Sequence, residues 1–217
     1  MDGAPDVPGY IFPNGRRILF VHIPKAAGTS VEIALRRQAA EFLFDAKFHS
    51  VPERTTRVSA QHLHTAALNR LVLPGFFNYS FVITRHPVDR LVSEFRFRRG
   101  LLPASRRATG VRGLGREPAE FSAWLTYALR AVQKTPWAFD NHLRPQFHFA
   151  YPNAQVFRLE DGLEPVWQAL SEQSGIAIAP PAKRHQTSRV APVEVSPEDR
   201  ARIVAHYAED MERFGYE

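Results

Sequence analysis

Apolar residues along the chain form short runs that alternate with stretches of helical periodicity. The run RILFVHI at 17–23 is rich in β-branched and aromatic residues and predicts a strand, followed by a helix over about 29–40. YSFVITR at 79–85 predicts a second strand, with Pro87 in the first turn of the next helix. AQVFRLE at 154–160 predicts a third strand, also followed by a helix. Strands and helices that alternate in this way predict an α/β fold with a central, mostly parallel sheet flanked by helices.

Two further helices are predicted from their own periodicity. One has a stripe of apolar side chains at helical spacing, expected to face the core: Phe121, Trp124, Leu125, Ala128, Leu129 and Val132. The other is the last helix, for which Ser196 is the predicted cap, Pro197 the first helical residue and Gly215 the stop. Both helices are therefore expected to be structural.

Length and composition favour a globular chain with one core. The 217 residues are 44% hydrophobic and 23% charged, as is usual for globular domains. Without a repeat or a long linker, they predict one domain over 1–217, with an irregular segment at 1–15 and a mobile basic loop at about 100–116. The lack of cysteine excludes disulfides, a thiolate nucleophile and cysteine-based metal sites.

The amino-terminal sequence has neither the basic nor the apolar part of a secretory signal. No apolar run approaches the roughly 20 residues of a membrane-spanning helix. We therefore expect a cytoplasmic protein that does not contact a membrane.

Positive charge is concentrated in one segment. The chain has a formal net charge of +6. Positions 95–116 carry seven arginines and no acid, so the remainder of the chain is close to neutral. This distribution favours an anionic partner. We expect the segment to face an anionic acceptor, with Arg106 and Arg107 as candidate contacts.

The first motif that carries chemistry is HIPKAAGTS at 22–30, between the first strand and its helix. A turn of small residues at a helix start presents backbone N–H groups and the positive end of the helix dipole, which suits a phosphate. Lys25 adds a positive charge, and the hydroxyls that follow add hydrogen-bond donors. The motif differs from a Walker A sequence, because Lys25 precedes Gly28 instead of following the second glycine.

The second motif is TRHPVDRLVS at 84–93. Arg85 ends a predicted strand, where open α/β sheets bind ligands. Arg90 and Ser93 are three residues apart and therefore lie on one face of the following helix. An arginine fork and a hydroxyl can hold a second phosphate.

Together the two motifs resemble the cofactor signatures of the sulfotransferases that use 3′-phosphoadenosine 5′-phosphosulfate (PAPS). HIPKAAGTS is most similar to the carbohydrate branch, which includes the heparan and chondroitin Golgi enzymes and bacterial relatives. The resemblance extends to NHLRPQ at 141–146, FRLED at 157–161 and the ending at 207–216. It implies a P-loop-like sulfotransferase fold. It also implies in-line transfer of a sulfuryl group from PAPS to a hydroxyl of a carbohydrate-like acceptor, with release of 3′-phosphoadenosine 5′-phosphate (PAP).

The resemblance also implies roles for individual residues in cofactor binding. The first motif would wrap the 5′-phosphosulfate with Lys25, Ala26, Ala27, Gly28, Thr29 and Ser30. Arg85 and Ser93 would hold the 3′-phosphate, and a later loop would add contacts from Lys183, Arg184 and Ser188. Lys25 is the candidate catalytic group that stabilises charge on the leaving oxygen. No metal is expected, because a transferring sulfuryl group carries less charge than a phosphoryl group and the sequence has no dedicated metal constellation.

A base for the acceptor hydroxyl is implied in SAQHLH at 59–64, since members of this branch place a catalytic histidine in a Gly-His or His-x-His segment between the signatures. Gln61 replaces the usual glycine. An extended segment would put His62 and His64 on one face, so that either can be the base. The segment at 141–146 is expected to line the acceptor cleft through Asn141, His142, Arg144 and Gln146.

Two other functions fit parts of the sequence. A non-catalytic anion or RNA binder would use the arginine-rich segment, with Phe95 and Phe97 stacking on bases, but it leaves both motifs unexplained. A nucleotide kinase or NTPase would use the first motif, and the displaced Lys25 counts against it. We therefore expect a PAPS-dependent sulfotransferase that does not bind nucleic acid.

Overall fold

The computed structural model describes residues 8–43, 58–101, 114–182 and 191–217. These residues divide into two compact units, which are described separately. The first unit contains the described residues up to Thr84 and those from Gln146 to 182. The second unit contains those from Arg85 to Pro145 and from 191 onward. One domain over 1–217 stays a prediction.

Five strands and, within the described residues, seven α-helices make up the regular structure. The strands are β1 (Gly9–Ile11), β2 (Arg17–Val21), β3 (Glu41–Leu43), β4 (Tyr79–Thr84) and β5 (Gln155–Arg158). The helices are α1 (Gly28–Gln38), α2 (Thr65–Leu71), α3 (Pro87–Leu101), α4 (Phe121–Lys134), α5 (Glu164–Ser174), α6 (Pro197–His206) and α7 (Ala208–Phe214). None of the helices in these ranges is both long enough and apolar enough to cross a membrane.

The first unit is built on a mixed sheet with the strand order β3-β1-β2-β4-β5. β2, β4 and β5 run parallel, whereas β1 is antiparallel to both β2 and β3. The three strands predicted from apolar runs are the three parallel ones. The predicted α/β class with a parallel core is therefore confirmed.

The structure corrects the sequence prediction at the amino terminus, where residues 1–15 were expected to be irregular. Gly9–Ile11 instead form β1, in which Tyr10 pairs with Ile18 of β2 and has no exposed surface. Such a short strand is missed because three residues are too few to show an alternating pattern. β1 is instead defined by its hydrogen bonds to β2 and β3.

The core of the first unit lies around β2. Residues Ile18–Val21 have no exposed surface, as expected for the central strand of a sheet that is covered on both faces. The ring of Phe20 stacks on that of Phe81 in β4, with centroids 4.7 Å apart. α1 and α5 pack on this core through Val31, Ala34, Leu35, Val166, Trp167 and Leu170. The sheet thus positions the segment that follows β2.

The second unit is helical, and its core joins α3, α4 and α6. The predicted stripe on α4 is confirmed, since its first four members are buried and Leu129 and Val132 pack against them. An ion pair lies beside this core, where Arg98 Nε donates to Glu117 Oε1 over 2.8 Å and its Nη2 donates to Glu117 Oε2 over 2.6 Å. Trp124 Nε1 also donates to Glu117 Oε1 over 2.9 Å. The buried carboxylate therefore has three donors.

The carboxyl-terminal helix begins as predicted but is not continuous. Ser196 Oγ accepts a hydrogen bond from the Asp199 N–H over 3.1 Å, which confirms the cap. The helix breaks at Tyr207, between α6 and α7, where φ is −108°. The Tyr207 hydroxyl donates to the carbonyl of Leu143 over 2.8 Å, and burial raises its pKa to about 12. This tertiary contact fixes the side chain of Tyr207 at the break, and helical periodicity does not reveal the break.

Candidate functional site

The turn that joins β2 to α1, residues 22–28, has a strained backbone. Lys25 and Ala27 have φ angles of 69° and 63°, in the left-handed region. Each such angle costs a residue other than glycine roughly 1–2 kcal/mol. Within the turn, the N–H of Ala26 donates to the carbonyl of Ile23 over 3.3 Å. Strain of this kind persists where neighbouring contacts hold it, often at functional sites.

The amino terminus of α1 has the character of an anion site. Within the described residues, Ala27 provides no side-chain cap, and the first turn of the helix contains no acidic residue. The cap residue therefore offers no side-chain acceptor to the first amides of the helix, which carry the positive end of the helix dipole. This arrangement fits a phosphate-like group.

Position 28 has no space for a side chain, so it requires glycine. A Cβ at position 28 would overlap the imidazole ring of His22, which directly follows β2 and is 5% exposed. The φ of Gly28 is not in the left-handed region, so its role does not come from backbone freedom. His22 thus supports the turn directly beneath the start of α1.

A buried carboxylate holds His22 in this place. His22 Nδ1 lies 2.7 Å from Glu32 Oε1, and Gln61 Nε2 donates to Oε1 and Oε2 of Glu32 over 3.1 and 3.0 Å. Burial alone would raise the pKa of Glu32. The charges of His22 and His62 and the hydrogen bonds from His22 and Gln61 outweigh burial and lower it. Glu32 is therefore ionised, and His22 Nδ1 donates to it.

The segment with the candidate bases is not extended, so the condition under which His62 and His64 would share one face is not met. Ala60–His62 form one turn of 3₁₀ helix, and His64 occupies the position before α2. His62 is 7% exposed, and its Nδ1 lies 3.1 Å from Ser59 Oγ. Its ring meets that of His22 edge to face, with centroids 5.3 Å apart. The segment with His62 therefore lies close to Glu32, as the first motif does. Gln61 donates to Glu32, and the His62 ring contacts the ring of His22.

The second motif begins the second unit. Arg85 precedes α3 and Ser93 lies on it, and both are partly buried. Arg90 is fully buried, and its guanidinium donates to the carbonyls of His142 and Arg144 over 3.0 and 2.9 Å. The fork of Arg90 therefore holds a turn of the chain, which corrects its expected place beside Ser93 at a phosphate.

The turn that Arg90 holds has an unusual backbone. Phe139, Asp140 and Asn141 have φ angles of 54°, 58° and 64°, three consecutive left-handed residues of which none is glycine. Asn141 Oδ1 accepts from Arg144 Nε over 2.9 Å, and Asn141 is fully buried. The strain of this turn is therefore offset by hydrogen bonds from arginines.

His142 in the same turn is oriented by a second buried carboxylate. Its Nδ1 lies 2.6 Å from Glu94 Oε2 on α3, and its ring is 5.9 Å from that of Phe97. Arg98 Nη1 lies 3.8 Å from the other oxygen of Glu94. Of the four residues predicted to line the acceptor cleft, three share this turn, while Gln146 is buried in the first unit.

Several predicted site residues lie outside the residues that the structure describes. These are Arg106 and Arg107 of the basic segment and Lys183, Arg184 and Ser188 of the later loop. Most of the predicted mobile loop at about 100–116 also lies outside.

The sequence patterns do not reveal two acidic residues, Glu32 and Glu94, each of which contacts a histidine. Glu32 follows Val31 on the buried face of α1, and Glu94 follows Arg90 by one helical turn on α3. A charged residue within an apolar helical stripe was the available signal, because a buried carboxylate requires partners. The sequence did not identify the partners, since they lie far from the acids along the chain.

Comparison with known proteins shows the family of the chain. A family model described as the sulfotransferase family matches residues 8–217. No curated protein and no solved structure matches the chain. The match includes both motifs, the His62 segment and the turn at His142, which confirms the predicted resemblance at the level of the family. The chain therefore belongs to the sulfotransferase family, whose members are enzymes that transfer a sulfuryl group to a hydroxyl-bearing acceptor.

Proposed function

We propose that this sulfotransferase takes the sulfuryl group from PAPS and transfers it to a hydroxyl of a carbohydrate-like acceptor, leaving PAP. The observation that carries the donor assignment is the turn at 22–28, with its small residues and the uncapped amino terminus of α1. Backbone amides at a helix start are suited to a phosphate group. The family and the turn therefore favour the same class of donor.

In this proposal the turn holds the 5′-phosphosulfate through Lys25, Ala26, Ala27, Gly28, Thr29 and Ser30. Arg85 and Ser93 hold the 3′-phosphate, and Lys183, Arg184 and Ser188 add contacts from the later loop. The donor supplies an activated sulfuryl group on a phosphate leaving group. Lys25 and the amides of α1 stabilise the negative charge that grows on the bridging oxygen during transfer. No metal is required in this scheme.

The acceptor hydroxyl needs a base, for which we propose His62. A hydrogen bond between its Nδ1 and Ser59 Oγ orients the ring, and imidazole is well matched to proton transfer near neutral pH. His64, two residues on, is the second candidate. Transfer of the acceptor proton to the ring leaves an alkoxide-like oxygen to attack sulfur in line with the departing phosphate.

The acceptor is proposed to be a carbohydrate, and an anionic one is favoured by charge. Arg106 and Arg107 belong to a segment with seven arginines and no acid. Asn141, His142, Arg144 and Gln146 are proposed to line the acceptor cleft, with His142 oriented by Glu94. Buried Asn141 would act through the shape of the turn and the backbone around it.

Calorimetric titration with PAP, AMP, ATP and a short RNA tests the donor assignment. PAP is expected to bind at least about tenfold more tightly than AMP, because one charge-assisted contact contributes roughly 1.5–3 kcal/mol. Arg85→Ala should remove most of this preference, whereas Arg200→Ala, an exposed arginine on α6, should keep it. Equal affinity for PAP and AMP would contradict the proposal, and preferential binding of RNA would favour the non-catalytic alternative.

A screen of carbohydrate acceptors with radiolabelled PAPS tests the transfer itself. Label should pass to a hydroxyl-bearing sugar and depend on Lys25. Transfer to proteins or small phenols alone would contradict the carbohydrate assignment while leaving the donor assignment intact.

A further inference from the structure

One buried carboxylate contacts both segments that the proposed chemistry uses. Glu32 is 1% exposed and lies on α1, one turn after the helix begins. On one side it contacts His22, which precedes the phosphosulfate turn. On the other side it accepts two hydrogen bonds from Gln61, the residue next to His62. The inference that follows rests on the proposed function.

The contact between Glu32 and His22 joins the two ends of the turn, since His22 begins it and Glu32 lies on the helix that follows it. The chain leaves β2 at His22, passes through two strained residues, Lys25 and Ala27, and returns in α1. His22 also lies directly against Gly28. Loss of the carboxylate would free the imidazole from its place, and the turn would lose the support beneath its helical end. The strained angles would then relax toward ordinary ones.

The contact between Glu32 and Gln61 also limits the position of the candidate base, because Gln61 is next to His62 in the chain. Gln61 is the middle residue of the 3₁₀ turn Ala60–His62, so its side chain fixes the position of that turn relative to α1. The His62 ring then meets the His22 ring edge to face. Glu32 therefore touches both segments, and His22 and His62 also touch each other.

Burial makes this arrangement stiff. An ionised carboxylate away from water must keep its hydrogen-bond partners, since none of them can be replaced by solvent without opening the core. The groups that face it are His22 from the end of β2 and Gln61 and His62 from the 3₁₀ turn. Their contributions hold the pKa of Glu32 below its usual range.

We propose that Glu32 is a positioning residue that couples the phosphosulfate turn to His62. Through His22 it sets the shape of the turn, and through Gln61 it sets the position of the base. Gln61, which replaces the glycine that the resemblance to sulfotransferases implies, is thus one of the positioning contacts. Neither Glu32 nor Gln61 contacts the reacting atoms in this proposal.

The first experiment needs no ligand. Imidazole NMR resonances of His22 and His62 and hydrogen exchange of amides 26–30 are compared in the wild type, Glu32→Gln, Gln61→Ala and Glu41→Gln. Glu32→Gln should shift both histidines and speed exchange at 26–30, Gln61→Ala should shift mainly His62, and the exposed Glu41→Gln should change neither. An unchanged His62 in Glu32→Gln would overturn the coupling, whatever the ligand proves to be.

The second experiment separates binding from turnover. Glu32→Gln should weaken PAP binding and lower kcat, each by roughly tenfold, a usual effect of residues that orient a functional group. Gln61→Ala should lower kcat while PAP affinity stays near that of the wild type. His22→Asn should weaken PAP binding more than it lowers kcat. A purely structural residue would lower thermal stability without this split between the two arms.

The outcomes distinguish the inference from the proposed function. If the wild type does not bind PAP, the proposed donor is wrong, and the NMR comparison still decides whether Glu32 couples the two segments. If the wild type binds PAP and Glu32→Gln changes neither affinity nor kcat, the inference is wrong and the function stands. If Glu32→Gln does not fold, the opposite responses of His22→Asn and Gln61→Ala carry the test, and equal responses would overturn it.

Discussion

At the scale of single residues, the contact between Gly28 and His22 is the most restrictive feature of the site. Gly28→Ala should displace the imidazole, weaken PAP binding and destabilise the fold by about 1–3 kcal/mol, the usual cost of overpacking. Urea denaturation and PAP titration measure the two effects. In the double variant with His22→Ala, part of the stability should return, because the clash is removed. Additive losses in that double variant would contradict the steric explanation.

Lys25 and His62 should be separable by their kinetics. His62→Ala is expected to lower kcat by roughly 10² to 10⁴ with PAP affinity close to the wild type, since a general base acts only during transfer. Lys25→Ala should lower both kcat and PAP affinity, because Lys25 would contact the phosphosulfate before transfer begins. Steady-state kinetics with PAP titration measure both. Normal turnover in His62→Ala together with an inactive His64→Ala would move the base to His64.

Glu32 should make the free energy of unfolding depend on pH. Its pKa is lowered in the folded chain, because the charges and hydrogen bonds of its partners outweigh burial. Such a carboxylate stabilises the fold above its unfolded pKa, near 4.5, and this stabilisation is lost as the pH falls through the lower folded value. Denaturation between about pH 7 and about pH 3 should therefore show a shallower pH dependence in Glu32→Gln than in the wild type. The same change in Glu41→Gln would show that the effect is not specific to Glu32.

At the scale of elements, the sequence predicts the parts of the fold whose pattern is local. The parallel strands, α1, α3, α4 and α5 follow from apolar runs and helical spacing. β1, β3 and the break at Tyr207 do not, because each depends on partners far along the chain. The site divides in the same way. The turn at 22–28 is visible in sequence, whereas the contacts of Glu32 and Glu94 with histidines require the folded chain.

The break between α6 and α7 gives a prediction at this scale. Tyr207→Phe removes the hydrogen bond to the Leu143 carbonyl, which is then left buried without its donor. The free energy of unfolding should fall by about 1–3 kcal/mol. Thermal denaturation measures the loss, and Tyr216→Phe, which keeps the Leu143 contact, is the control. If both variants lose the same free energy of unfolding, the hydrogen bond from Tyr207 to Leu143 does not stabilise the fold.

At the scale of the whole molecule, the proposed function predicts that the charge of the basic segment affects acceptor binding. Neutralising Arg106, Arg107 and Arg112 should raise the acceptor KM and flatten its dependence on salt, because positive charges attract an anion over distances that salt screens. PAP affinity should not change. Initial rates at several salt concentrations measure this. An unchanged acceptor KM would leave the basic segment without a part in acceptor binding.

The strand order also sets the order in which the molecule can be completed during synthesis. Phe81 of β4 pairs with Gln155 of β5, so the ribosome makes much of the second unit before the sheet receives its last strand. At roughly 5–20 residues per second, the edge of β4 waits on the order of several seconds for its partner. An unpaired edge of Phe, Val and Ile is a template for strands of other chains. Nascent copies translated close together on one messenger RNA therefore compete with β5 for the same edge, and slower translation between β4 and β5 lengthens that competition.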